Sequence, residues 1–543
     1  MSVCTMLFIA AITVSLSNRP ITAINILAIE PVTGKSHWNF MSALLRALTD
    51  SGHRITAFTP LPDGDRVNYT EIDISNDISA MDIGIDSHFV MENFRKSTVM
   101  IPLVMNWTRR ICSIIYEHPK MKNIILNNKQ FHYDLIIVER AASECVTYIA
   151  AKLDIPVIFS SPSPLKTTIE YSIIGNGPNP ASVSHVMAYY SVPRTFFQRF
   201  TNSLFYAYSS FLSTRKESEM KINNPGEYDL IEPVKPSIVF LNTHYITEAP
   251  RPFPPNIIQV GGIHLQSPKK DIPAVIASFY YNTFFKKGEI RNKCPSLQHP
   301  PTINIEMTLL ISASYKLIKA NNMILLQLTL FALPIQDILE YIDNSPYGVI
   351  YFTLGSIVEM STLPDHIQNA YKDGLSKVPQ RILWKYEGEM KKKPINVMTL
   401  HPKVKLFISH GGISGVYEAI DASVPVLGLP VFYDQPRNIE NLVDAGMAIS
   451  MDFLSVTKEN LINAVNELII NEKYRKNANL VSNRFKDRPM APEKSVVYWT
   501  EYVCRHKSAP HLKSYSFDLI WYQYYLLDVV AVMLLSILST DQT

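Results

Sequence analysis

The residues between Val404 and Asn438 hold the densest set of groups able to do chemistry. They read VKLFISHGGISGVYEAIDASVPVLGLPVFYDQPRN. An apolar run from Val404 to Ile408 predicts a strand that stops at Ser409, His410, Gly411 and Gly412. A helical pattern follows to Ile420, then a second strand from Pro425 to Leu429, then Asp434 and Gln435. Strand, glycine turn and helix place backbone N–H groups, an imidazole and a helix N-terminus where a phosphate would bind. Glycines there let the backbone approach a phosphate closely. Glu418 follows His410 by two helical turns, which the helical period would put on roughly the same face. A second candidate is His37, in the turn after the strand Ala23 to Ile29, where an imidazole can take a proton from a hydroxyl near neutral pH. Alone, each of these residues reads equally well as a helix cap or a solvated polar group. Asp63, Gly64 and Asp65 have the spacing of a metal-binding pair of aspartates, but they sit in a Pro-flanked loop and read as a turn.

The elements that must position these groups alternate along the chain. In the first half, Ala23 to Ile29 and Arg54 to Phe58 read as strands, with a helix from Asn39 to Ser51 between them and Gly52 as its stop. Leu135 to Val138 and Val157 to Phe159 flank a helix that begins near Ser143. The second alternation starts with the strand Val349 to Leu354 and the turn Gly355 and Ser356. It continues with a helix from Pro364 to Leu375, a strand from Arg381 to Lys385, and helices near Lys458 to Ile470 and Glu472 to Phe485. This is βαβ grammar twice over, so two parallel sheets are expected, with ligands at the carboxyl ends of their strands. The aromatic-rich stretch Arg194 to Leu212 reads as an acceptor-pocket wall, a membrane-surface helix or an ordinary packed helix.

Composition narrows the class. The 543 residues have room for two or more domains, and 47% hydrophobic with 18% charged residues suits a globular chain with some membrane contact. A net charge of +3 and the lack of a long basic block give no case for nucleic acid. Residues 1–23 contain a short apolar core, Leu7 to Leu16, followed by small residues, as in a secretory signal peptide. Asn68 and Asn106 open N-x-T sequons, which fit a lumenal glycoprotein. The five cysteines are scattered without CxxC spacing, so neither a disulfide framework nor a zinc site is expected. Residues 516–543 carry an aromatic cluster, Trp521 to Tyr525, before an apolar run interrupted by Asp528. That resembles an interface belt and a transmembrane segment cut short of the about 20 apolar residues a span needs.

The Ser-His-Gly-Gly, Glu418, Pro425 and Asp434-Gln435 pattern resembles the signature of the UDP-glycosyltransferases, the family of the animal UDP-glucuronosyltransferases. Its wording is most similar to insect members. The resemblance implies the GT-B architecture, an α/β fold of two Rossmann-like domains facing across a cleft, followed by a C-terminal membrane segment. It places an acceptor-binding domain at 24–260, a linker at 261–346 and a UDP-sugar-binding domain at 347–515. It also implies an inverting transfer of glucose or glucuronate from a UDP-sugar to a hydroxyl of a small lipophilic acceptor. His37, in Ser36-His37-Trp38, matches the family's general base. Glu139 stands where the family has the aspartate that orients it, and Asp134, at the other end of that strand, ranks second. Ser356, Ser409, His410, Gly411 and Gly412 would hold the diphosphate, with Ser414 nearby. Glu418 would take the ribose, and Asp434 with Gln435 the sugar hydroxyls. The donor is a co-substrate and no metal or other cofactor is implied. The implied setting is the lumenal face of the endoplasmic-reticulum membrane, in a detoxifying enzyme with a capacity for homo-oligomers.

The chain departs from the family pattern in two places. Residues 271–332 match nothing in it and read as an insertion, from translated intron or as a lineage-specific membrane hairpin. After Trp384 and Lys385 the Trp-x-Pro-Gln element is missing. In the family its tryptophan stacks on uracil, and such stacking is worth about 1–3 kcal/mol per base. A catalytically impaired member that binds lipophilic ligands or a partner is therefore the second reading.

Overall fold

The computed structural model describes residues 23–79, 93, 96–140, 142–165, 169–265, 319–320, 323–325, 335–355, 360, 363–385 and 401–540. The expected signal peptide, Ser356, the position of the missing Trp-x-Pro-Gln element and most of 271–332 lie outside the described residues.

The chain divides into two compact units. The first contains a seven-stranded sheet, β1 (Asn25–Ile29), β2 (Arg54–Thr59), β3 (Tyr69–Asp73), β4 (Leu135–Glu139), β5 (Val157–Ser161), β6 (Ile238–Leu241) and β7 (Ile257–Gln259). Its order is β3-β2-β1-β4-β5-β6-β7, and every pairing is parallel. The strands are near-continuous apolar runs because helices cover both faces of a parallel sheet; all five residues of β4 are buried. The order reverses direction between β1 and β4, which opens a crevice at their carboxyl ends.

The second unit repeats the plan with β10 (Val349–Thr353), β11 (Arg381–Trp384), β12 (Val404–Ser409), β13 (Val426–Gly428) and β14 (Ala448–Ser450), all paired in parallel. Here the reversal lies between β10 and β12, whose last residues, Thr353 and Ser409, are paired. Two further strands close one edge. β9 (Met323–Leu325) runs parallel to β11, and β8 (Lys319–Ala320) pairs antiparallel to β9. Both come from the segment set apart as an insertion, where no strand was expected. The apolar run Met323-Ile324-Leu325 meets the edge residues Ile382 to Trp384 in register.

The C-terminal region does not belong wholly to the second unit: residues 488–543 and 432–437 count with the first. The helix Pro492–Arg505 packs on the helix Lys35–Asp50 and on β6. There Glu501 Oε1 comes within 3.4 Å of the buried His53 Nε2. Hydrophobic periodicity can mark a helix but not the sheet that the helix covers.

Cysteine spacing pointed to no disulfide, yet Cys112 and Cys145 are bonded. Folding brings the helix Ser97–Glu117 over the short 3-10 turn that follows β4, so residues remote in sequence meet. The helix Phe196–Asn223 is not ordinarily packed. Phe196, Phe197, Phe200, Leu204, Phe205, Tyr208 and Phe211 are exposed, while its buried face carries Asn202, Tyr206, Ser209 and Ser213.

No helix among the described residues is long and apolar enough to cross a membrane. The last helix, Leu527–Thr540, has 14 residues, and Trp521, Tyr522 and Tyr525 before it are exposed. Tyr524 instead turns inward, where its hydroxyl accepts from Gly177 N–H at 2.9 Å.

Candidate functional site

The crevice of the first sheet holds a histidine–carboxylate pair. β4 ends at Glu139, and the helix Lys35–Asp50 follows the loop after β1. The helix starts four residues earlier than its apolar pattern suggests, so His37 sits in its first turn rather than in a loop. Lys35 and Ser36 are exposed and His37 is half-buried, so the apolar pattern begins after the helix does. His37 Nδ1 lies 2.8 Å from Glu139 Oε1 and 2.9 Å from Oε2. Glu139 is buried, and the imidazole is partly exposed, with side-chain exposures of 1% and 29%. An ionised Glu139 accepts from Nδ1–H, which leaves Nε2 as the basic nitrogen.

Gly34 is part of this geometry. A Cβ there would come 2.9 Å from His37 Cδ2, so a side chain would push the ring away from Glu139. Asp134 points elsewhere: its Oδ2 accepts from Asn25 N–H at 2.7 Å, at the opposite end of the sheet. Asp63, Gly64 and Asp65 lie in an irregular loop before the turn at 67–68. Asp63 accepts from the Trp38 indole at 3.0 Å, and Asp65 from Glu71 N–H at 2.7 Å. Among the described residues no group of acidic, histidine or cysteine side chains could hold a metal ion.

The crevice of the second sheet holds another histidine, on which a lysine acts rather than a carboxylate. β12 ends at Ser409, and the helix Ile413–Asp421 begins after Gly412, its N-cap. His410 therefore precedes the helix, and the expectation that it shares a helical face with Glu418 is corrected. Gly411, at φ +86°, turns the chain between them. Ser414 and Glu418 do share a face, one turn apart within the helix.

Two glycines pinch the His410 ring. A Cβ on Gly355 would lie 2.7 Å from its Cε1 and Nε2, and one on Gly412 would lie 2.6 Å from Nε2. Burial pushes His410 down to about 4, the Lys385 ammonium adds to this, and a hydrogen bond to the Thr353 carbonyl opposes it. Its Nδ1 is buried without a hydrogen-bond partner among the described residues. His410 is thus a neutral hydrogen-bonding group at pH 7, and not the cation that would itself offset phosphate charge. Lys385, which donates to the Gly355 carbonyl, supplies positive charge close by.

The glycine turn is tied on both sides. Ser409 Oγ accepts from Gly411 N–H at 3.2 Å, and Asn438 Nδ2 donates to the Gly411 carbonyl at 3.0 Å. Ser409 is buried and shapes the loop, and the Gly411 N–H already has a partner. The first N–H groups of the helix after Gly412 have no intrahelical partner, and Gly412 offers no side-chain cap. The Ser414 carbonyl pairs with His264 Nε2 at 3.2 Å, and Glu418 is buried.

Asp434 and Gln435, both buried, belong to the first unit. Gln435 Oε1 accepts from Phe432 N–H at 3.1 Å, a local cap at the start of the helix Gln435–Asp444. Tyr433, before them, is left-handed at φ 60°.

The sequence reading missed Gly34, Gly355 as a contact of His410, Lys385 and Asn438. Gly355, Lys385 and Asn438 act through neighbours remote in sequence, which only a fold reveals, whereas Gly34 acts on His37 three residues later. Asn438, three residues after Gln435, is the one that the dense Val404–Asn438 stretch itself offered.

A protein-family model described as "UDPGT: UDP-glucoronosyl and UDP-glucosyl transferase" matches residues 26–283 and 332–541. The unmatched gap falls inside the segment 271–332. Among relatives, "UDP-glucosyltransferase 2" of Dactylopius coccus is 32% identical, over 94% of this chain and 90% of its own length. "UDP-glycosyltransferase UGT5" of the same insect is also 32% identical, over 95% and 90%. "UDP-glucuronosyltransferase 2C1" of Oryctolagus cuniculus is 28% identical, over 92% and 93%.

Proposed function

Because this chain belongs to the UDP-glucuronosyl and UDP-glucosyl transferase family, and so to the UDP-dependent glycosyltransferases, we propose that it is an inverting enzyme that moves glucose or glucuronate to a hydroxyl of a small lipophilic acceptor. The observation that carries this reading is the His37–Glu139 pair at the crevice of the first sheet. His37 Nε2 takes the acceptor's hydroxyl proton while Nδ1–H stays on Glu139. The acceptor oxygen forms its bond to the anomeric carbon from the face opposite the diphosphate. The bond from that carbon to UDP breaks, and UDP leaves with the electron pair. Opposed entry and departure invert the anomeric configuration.

On the donor side, the N-terminus of the helix Ile413–Asp421, His410 and Lys385 stabilise the leaving diphosphate. Glu418 accepts from the ribose hydroxyls, and Asp434 with Gln435 from the sugar.

The lumenal face of the endoplasmic-reticulum membrane is the proposed location. The Cys112–Cys145 bond supports an oxidising compartment. The exposed aromatic face of the helix Phe196–Asn223, and exposed Trp521, Tyr522 and Tyr525, support contact with lipid and lipophilic material. Asn68, exposed in a turn at φ 58°, fits the expected glycoprotein.

The test is transfer from UDP-glucose and from UDP-glucuronate to a panel of phenols and aliphatic alcohols, with the product anomer read by NMR. A β-linked product from an α-linked donor, lost in His37→Ala, is the expected result. Retention of configuration, or turnover undiminished in His37→Ala, would overturn it.

A further inference from the structure

Two residues after the proposed sugar-binding pair, Arg437 is buried to 3% exposure, although nothing in the proposed chemistry uses it. Its Nη1 donates to the Ser184 carbonyl at 3.1 Å, and its Nη2 lies 3.6 Å from Glu248 Oε2. Beside them Arg251 donates to the buried Glu170 carboxylate. The other three charged side chains all act on Glu170: burial pushes its carboxyl up, Arg251 and Arg437 draw it down and Glu248 raises it, so that it ends at about 7. All of these residues fall in the first unit, to which the segment Phe432–Arg437 is joined.

The acceptor of the Arg437 bond is itself held firmly. Asn202 takes His185 N–H on its Oδ1 at 2.8 Å and donates to the Pro180 and Val183 carbonyls at 2.6 and 2.8 Å. Ser184 Oγ donates to the Ser191 carbonyl at 3.0 Å. A buried polar seam on the helix Phe196–Asn223 therefore fixes the loop that receives the guanidinium. This accounts for the inverted polarity of that helix, whose polar face is the buried one.

The segment that Arg437 closes needs such an anchor. Tyr433 is held left-handed, a conformation that persists in a non-glycine residue only where its surroundings enforce it. Gln435 has its carbonyl oxygen on Phe432 N–H, which fixes one side of the turn but not its position in the unit. A guanidinium is suited to the remaining task, because its rigid fork can bond a carbonyl and face a carboxylate together.

We propose that Arg437 is a positioning residue for donor-sugar recognition: locked between the Ser184 carbonyl and Glu248, it sets where Asp434 and Gln435 lie. This rests on the reading of Asp434 and Gln435 as the residues that bind the sugar. Arg437 touches neither sugar nor nucleotide in the proposal. Its loss is felt in sugar binding and transfer while UDP binding stays as it was.

The experiment compares Arg437→Met, Arg437→Lys, Asp434→Asn and the double variant Arg437→Met/Glu248→Gln in the full chain. UDP affinity is measured by calorimetry, and KM and kcat with whichever of UDP-glucose and UDP-glucuronate supports turnover. Arg437→Met leaves Glu248 buried without its cation, which by itself destabilises a fold. The double variant removes both charges, so its melting temperature recovers relative to the single one. Positioning predicts that the double variant still shows a KM for the UDP-sugar raised about tenfold, with UDP affinity within about twofold of the parent. Arg437→Lys recovers part of the KM.

If the double variant regains both stability and KM, Arg437 is only structural and the proposal fails. A uniform loss of UDP affinity along with KM also overturns it. If Asp434→Asn leaves the UDP-sugar KM unchanged, the reading of Asp434 as a sugar ligand fails instead, and the role of Arg437 in sugar recognition falls with it.

Discussion

Each sheet presents a histidine at the point where its strand order reverses, and the two histidines are opposites. His37 has a buried carboxylate on one ring nitrogen and partial access to solvent on the ring. His410 has a glycine on either side, a lysine nearby and a pKa pushed down to about 4. The same crevice is thus set up for proton transfer in one unit and for neutral hydrogen bonding in the other. Strand order decides where a ligand meets the sheet. What the histidine can do there depends on its immediate neighbours: a carboxylate stabilises the imidazolium, and burial beside a cation forbids it.

The sharpest way to break this contrast is to remove each imidazole. His37→Ala should lower kcat by about 10²–10⁴, the usual contribution of a general base, with UDP affinity unchanged. His410→Ala should instead weaken UDP binding by about ten- to a hundredfold, as for loss of a hydrogen bond to a charged group. Calorimetry with UDP and steady-state kinetics on both variants would decide. Equal effects on kcat and on UDP affinity from both would erase the distinction.

Glu139→Gln should then lower kcat by about a hundredfold, because the amide cannot stabilise the imidazolium. It should leave UDP affinity as it was. Gly355→Ala tests the other crevice. A Cβ there meets the His410 ring at 2.7 Å, and the backbone is left-handed at φ +83°. A loss of about 1–3 kcal/mol in unfolding free energy is expected, with weaker UDP binding. Gly34→Ala, at an ordinary φ of −70°, should disturb kcat and leave stability nearly unchanged.

The smallest effect is on acid stability. His410 has its folded pKa below the unfolded value of 6.5. Above pH 6.5 it is neutral in both states and contributes no pH dependence. As pH falls from 6.5 toward 4 the unfolded chain binds a proton that the folded chain refuses, so stability falls over that window. His185, also lowered to about 4 by burial and by Arg437, adds in the same direction. Thermal melts between pH 7 and 4 should show His410→Gln with a shallower decline than the parent, by about 1–3 kcal/mol across the window. An unchanged slope would mean that His410 titrates normally.

Both sheets were legible because parallel strands buried on two faces appear as apolar runs: Leu135 to Val138 and Val404 to Ile408 differ from the observed strands by one residue each. The pairing of His37 with Glu139 came from family resemblance, and the geometry agrees with it. The helix Phe196–Asn223 was not legible. Its aromatic stripe fits a pocket wall, a membrane-surface helix or a packed helix, and only packing shows that Asn202 and Ser209 are on the buried side. The Cys112–Cys145 bond escaped for a related reason, since spacing along the chain carries no information about which helix returns over which strand.

By itself, then, the sequence determined that the chain holds two parallel α/β units, that it carries a nucleotide-sugar signature, and which histidines and carboxylates to examine. These are local properties, written in runs, periods and short motifs. Tertiary structure alone decided that His410 is neutral and that Gly411 N–H already bonds Ser409. It also decided that Asp434 and Gln435 belong with the first unit, and that Arg437 is locked beside them. Protonation and hydrogen-bond occupancy depend on burial and on charges brought together from distant parts of the chain, and neither exists until the chain has folded.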